Sequence, residues 1–169
     1  MTAPLLIFAV GNESRGDDAV APLLLRRLQA AGMAAQCELV EEFQLQVENT
    51  LDMVGRELVL LIDAGIDTPA PFAFYRAAVS AVGNLYSHAL SPEALLTLYQ
   101  QVHKQPAPPL FVLCVRGEQF ELGASLSAQA VENLDDALQF IQRLLRHADA
   151  EAWETMVKQM IMASEQCIA

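Results

Sequence analysis

Basic residues are scarce in this chain: ten Lys and Arg stand against 21 Asp and Glu in 169 residues, a formal net charge of −11. Phosphate binding depends on clustered Lys and Arg, so nucleic acid is not an expected partner. Long apolar runs are missing too. The densest, residues 4–10 and 58–62, fall far short of the ~20 residues of a spanning helix, and no membrane partner is expected. No basic segment follows Met1, so no secretory signal is expected. Three cysteines (Cys37, Cys114, Cys167) form no C-x-x-C pair, which suits free thiols in a reducing cytoplasm rather than a disulfide framework. Charged residues make up 18% and hydrophobic residues 53%, the reverse of a disordered composition. The length suits one domain with a single core.

What is present is an alternation of buried strands and amphipathic helices. Leu5-Leu6-Ile7-Phe8-Ala9-Val10 is a continuous apolar run, as in a strand covered on both faces. Val20, Leu23, Leu24, Leu28 and Ala31 then recur at helical spacing, with Pro22 in the first turn and Gly32 past the end. Residues 37–41 and 57–63 read as further strands, 46–54 as a short helix, and 71–77 as an edge strand. Ser91-Pro92 starts a helix that runs to about His103. Prolines 106, 108 and 109 precede a strand over 110–115. Ser127 caps a long helix with Val131, Leu134, Leu138, Ile141 and Leu145 on one stripe. The pattern predicts an α/β three-layer sandwich, a mostly parallel twisted sheet with helices on both faces. Its body spans 1–147. Residues 148–169 form an amphipathic helical extension whose Trp153, Met156, Val157, Met160 and Ile161 pack back on the body or meet another protein.

Ligands of such sheets bind beyond the carboxyl ends of the strands. The loop after the first strand reads Gly11-Asn12-Glu13-Ser14-Arg15-Gly16-Asp17-Asp18. Two aspartates stand where a phosphate loop needs Lys and Ser/Thr, and the dinucleotide Gly spacing is absent, so nucleotide binding is disfavoured. The loop can offer oxygen ligands, although either aspartate can instead cap the helix that follows. Asp63 closes a buried strand and needs a partner there, be it backbone N–H groups, a cation or a metal. His88 lies in a loop opening on the same side, whereas His103, late in a helix, and His147, near a helix C-terminus, read as surface or hydrogen-bond-satisfied residues. Asp18, Asp63 and His88 thus make a carboxylate–carboxylate–imidazole set suited to a divalent metal such as nickel, zinc or manganese.

Gly11-Asn12, the acidic pair Asp17-Asp18, Asp63-Ala64 and His88, in this order and spacing, resemble the maturation endopeptidases of [NiFe] hydrogenases, over residues 5–145. Gly11-Asn-Glu-Ser-Arg-Gly-Asp-Asp, Phe43-Gln44-Leu45-Gln46 and Ser87-His88-Ala89-Leu90-Ser91-Pro92 are most similar to the branch serving soluble, NAD-reducing bidirectional hydrogenases. The resemblance implies a phosphorylase/hydrolase-like fold and a specific job. Such enzymes remove the C-terminal extension of the hydrogenase large-subunit precursor after nickel insertion, with the precursor's nickel as recognition signal. Asp18, Asp63 and His88 match the family's metal-contacting positions. Two departures stand out: Ala19 replaces a glycine, and Glu42-Phe43-Gln44-Leu45 replaces an Asp-Gly-Gly-Thr loop, making it stiffer and bulkier.

The expected reaction is hydrolysis at a peptide brought in by its own nickel, with Asp17 or Glu42 taking the proton of the attacking water. Glu42 can also be a substrate contact, and a solvated surface residue is the reading its position favours. No nucleophile dyad is evident, since Ser87 and His88 are adjacent and Cys114 falls inside a strand. Two alternatives use the same residues or fold: a nickel-sensing chaperone that does not cut, and a peptidyl-tRNA hydrolase-like enzyme, which would need a basic face this chain lacks.

Overall fold

A computed structural model describes residues 2–80 and 90–168. Its centre is a five-stranded sheet in the order β2-β1-β3-β5-β4. The strands are β1 (Leu5–Val10), β2 (Cys37–Glu42), β3 (Leu58–Gly65), β4 (Phe72–Arg76) and β5 (Leu110–Arg116). Pairings β1–β2, β1–β3 and β3–β5 are parallel, and the edge strand β4 runs antiparallel to β5. Every residue of β1 is buried, as expected of a central strand covered on both faces.

Two cores flank the sheet. On one face, Leu5, Ile7, Leu58, Leu60, Phe111 and Leu113 meet α1 (Val20–Ala30), α4 (Ala128–Arg146) and α5 (Ala150–Ile168). On the other, Leu6, Phe8, Val59, Leu61 and Val112 meet Met53, just beyond α2 (Asn49–Asp52), and Leu95, Leu96 and Tyr99 of α3 (Pro92–His103). The three-layer α/β sandwich read from the sequence is the fold observed. Helix starts follow the expected chemistry: the Ser91 and Ser127 hydroxyls accept the Ala94 and Ala130 amides at 3.1 Å, each filling an otherwise unmet donor.

Three elements differ from expectation. The helix expected over 46–54 is only Asn49–Asp52; the amides of Asn49, Thr50 and Leu51 bond three residues back, the geometry of tight turns rather than of an α-helix. Residues 16–19 form a 3₁₀ turn ahead of α1. Most consequential for the site, β3 continues to Gly65, so Asp63 lies inside the strand opposite Cys114. The β1–β3 pairing ends at Ala9 and Ile62, so Asp63 projects beyond that pairing.

The final helix is anchored at its start. Trp153 is fully buried, stands edge-on to Phe74 and Phe111 (interplanar angles 79° and 81°), and donates its indole N–H to the Leu144 carbonyl at 3.0 Å. Asp149 caps the helix by accepting the Ala152 amide at 2.8 Å. Toward the other end, Ile161, Met162 and Ile168 are exposed. Among the described residues no helix is long and apolar enough to cross a membrane.

Candidate active site

From β1 the chain crosses to β2 along one face of the sheet and returns to β3 along the other, so the strand order reverses at β1/β3. A crevice is expected outside the carboxyl ends of the strands at such a point. There the structure has a cleft of about 410 Å³, lined by Asn12, Arg15 and Asp18 after β1, Phe43–Leu45 after β2, Asp63 and Ala64 of β3, and Phe120.

Asp18 sits in the 3₁₀ turn, and its Oδ2 accepts the Asn12 amide at 2.7 Å. This bond curls the loop back on itself, and Gly11 allows it: a Cβ there would lie 2.1 Å from the Asp18 carbonyl oxygen. Burial raises the Asp18 pKa, against the pull of the Asn12 amide and the Arg15 charge. Asp63 is shifted further. Burial pushes it up to about 7, the Ala64 amide (2.8 Å to Oδ1) acts in the opposite sense, and the negative charge of Asp18 adds to the rise. Two carboxylates whose charged forms burial disfavours, the charge of Asp18 adding to the penalty on Asp63, are suited to receive a cation, which relieves these penalties.

Asp17 and Glu42, expected to serve as bases, do not line this cleft. Asp17 is fully buried. Its carboxylate accepts the amides of Glu118 (2.7 Å), Gln119 (3.1 Å) and Ser127 (2.7 Å) and the Ser127 hydroxyl (2.7 Å). Burial alone would raise its pKa, but these bonds outweigh it and the net shift is downward. A carboxylate so fully engaged, at the N-terminus of α4, is a structural anchor and not a base for water. Gly16 takes φ +54°, and a Cβ there would strike the Gln119 carbonyl oxygen at 2.4 Å, so this glycine lets the two loops meet. Glu42 is tied instead to the Asn49 side-chain amide at 3.0 Å. The partners of Asp17 lie about a hundred positions away, out of reach of reading by proximity along the chain, whereas Glu42 is held by a residue only seven positions on.

His88 lies outside the described residues; Leu90 and Pro92, which follow it in sequence, line the cleft. Among the described residues no three carboxylate, thiol or imidazole groups converge. His103 bonds the Thr50 hydroxyl (3.2 Å) and packs on Tyr99, as befits a structural residue. Cys114 is half-buried beside the Thr68 hydroxyl, and burial raises its thiol pKa, the opposite of an activated nucleophile. Sequence reasoning assigned no role to Arg15 or Phe120. Arg15 had one signal, a basic residue in the acidic loop of a chain poor in them; Phe120 had none.

No family model matches this sequence, nor does any curated protein. Solved structures do. The [NiFe] hydrogenase maturation protease HycI from Thermococcus kodakarensis superposes with a TM-score of 0.65 at 18% identity, covering 86% of this chain and 94% of its own. The hydrogenase maturating endopeptidase HybD from E. coli gives 0.64 at 18%, covering 85% and 93%. The fold is that of the hydrogenase maturation proteases. A hydrogenase 2 maturation peptidase from a Thaumarchaeota archaeon agrees, with 0.61 at 17% identity, covering 83% and 97%. The shared fold extends across nearly the whole of each of these proteases.

Proposed function

We propose that this chain is an endopeptidase that acts in the cytoplasm and removes the C-terminal extension of a [NiFe] hydrogenase large-subunit precursor after nickel insertion. The observation that carries this reading is the Asp18–Asp63 pair in the switch-point cleft of a chain with the fold of hydrogenase maturation proteases.

The nickel is cargo, presented by the precursor. Asp18 and Asp63 receive it, and His88, which precedes Leu90 and Pro92 in sequence, supplies the third ligand. A divalent ion there polarises a carbonyl or lowers the pKa of a bound water. The water's proton passes to a carboxylate oxygen of Asp18 or Asp63, because Asp17 and Glu42 are engaged elsewhere. Nickel-free precursor lacks the ion that offsets the two negative charges, so the cleft discriminates by charge before any bond is cut. Phe43, 72% exposed at the rim, gives the cleft an apolar contact for the peptide. The same resemblance favours the precursor of a soluble, NAD-reducing bidirectional hydrogenase as substrate.

Site substitutions test the assignment. Asp18→Ala, Asp63→Ala and His88→Ala should each abolish processing of nickel-loaded precursor, with the domain folded by circular dichroism. His147→Ala should process at the wild-type rate. Full activity in Asp63→Ala contradicts the metal clamp. Binding of loaded precursor without any mass loss, by the wild-type protein, identifies a chaperone instead.

A further inference from the structure

Arg15 is the single Lys or Arg among the residues lining the cleft, and it shares that cleft with Asp18 and Asp63. It stands three residues before Asp18, yet it is not among the arginines that form ion pairs in the described residues, which are Arg26, Arg27, Arg56 and Arg76. Asp18 is satisfied by the Asn12 amide instead. The Arg15 Nε donates to the Phe120 carbonyl at 3.3 Å, and its two terminal nitrogens have no acceptor among the described residues. A guanidinium is a fork of donors, and here one prong is held while the others are spare.

We infer that Arg15 is a catalytic residue that donates a hydrogen bond to the carbonyl oxygen of the scissile peptide as negative charge develops there. This rests on the proteolytic reading above. In peptide hydrolysis the water oxygen bonds to the carbonyl carbon while the carbonyl π pair moves onto oxygen, and the water's proton goes to a cleft carboxylate. Collapse re-forms the C=O bond, breaks the C–N bond and returns that proton to the leaving amine. The oxyanion formed between these steps needs a fixed positive partner. Nickel seated on Asp18 and Asp63 cancels their charges, leaving Arg15 as the cleft's surplus cation. Its Nε bond to Phe120 tethers the exposed guanidinium at the cleft while the terminal N–H groups remain available. Arginine keeps its proton throughout and acts only as a donor.

The test is steady-state cleavage of nickel-loaded precursor by full-length wild type, Arg15→Ala and Arg15→Lys, with folding checked by thermal melting. Arg15→Ala should lose about 10²–10³-fold in kcat with KM nearly unchanged, and Arg15→Lys should fall between it and wild type. Millimolar guanidinium should restore part of the kcat of Arg15→Ala and none of that of an Asp63→Ala control. Wild-type kcat in Arg15→Ala, or a loss confined to KM, overturns the assignment. So does a kcat loss that guanidinium does not relieve, which would make Arg15 a positioning residue acting through Phe120. Failure of the wild-type protein to cut loaded precursor overturns the proteolytic reading itself, and is seen before any variant is compared.

Discussion

Asp17 and Asp18 are adjacent, chemically identical and oppositely used. Asp17 collects four donors in the interior, whereas Asp18 faces the cleft with a single backbone partner. Removing the Asp17 carboxylate leaves buried N–H groups without acceptors, so Asp17→Ala should cost about 3 kcal/mol or more in denaturant unfolding. Its lowered pKa means this support is complete above the ordinary aspartate range and is lost as pH falls below it. Asp63 behaves in the reverse sense. Its raised pKa means the folded state binds its proton more tightly than the unfolded chain does, so stability declines as pH climbs from about 4 to about 7. Asp63→Asn should therefore be more stable than wild type near pH 8, by about 1–3 kcal/mol, with the difference vanishing near pH 4. Equal stability at both pH values would show that Asp63 carries no such strain. Sequence alone distinguishes none of this, because the groups that decide the fate of Asp17 belong to residues 118, 119 and 127, about a hundred positions away.

At the level of elements, hydrophobic periodicity is legible almost throughout. The order of strands and long helices, the Ser91 and Ser127 caps and the edge position of β4 agree with the pattern; that β4 runs antiparallel to β5 is a finding of the structure. Where local pattern competes with tertiary partners it misleads: the stretch over 46–54 has helical composition, yet Asn49 bonds the Gln46 amide, Glu42 and Asp52 and leaves only a short turn. The extension of β3 past Asp63 to Gly65 is likewise set by its pairing with β5. The final helix is the clearest energetic case. Its Trp153 fills the same core as β4 and β5, so Trp153→Ala should cost about 3–5 kcal/mol. A chain ending at His147 should melt at markedly lower temperature. A truncated protein as stable as the full chain would mean that the helix contributes nothing to the core.

For the molecule as a whole, the excess of acid divides by location. Glu13 and Glu41 pair with Arg26, and Asp135 with Arg27, on the surface, where such pairs contribute little to stability. The carboxylates that matter are those the fold brings to one crevice by reversing strand order at β1/β3. Composition excluded a basic nucleic-acid face; the topology explains why two acids from distant segments share a cleft that a cation can enter. The central claim is that a nickel-carrying precursor is the substrate, and intact-mass spectrometry tests it directly. The purified protein is incubated with a hydrogenase large-subunit precursor in nickel-loaded and nickel-free forms. The account predicts loss of the C-terminal extension from the loaded form alone. Cleavage of both forms at one rate, or of neither, would contradict it.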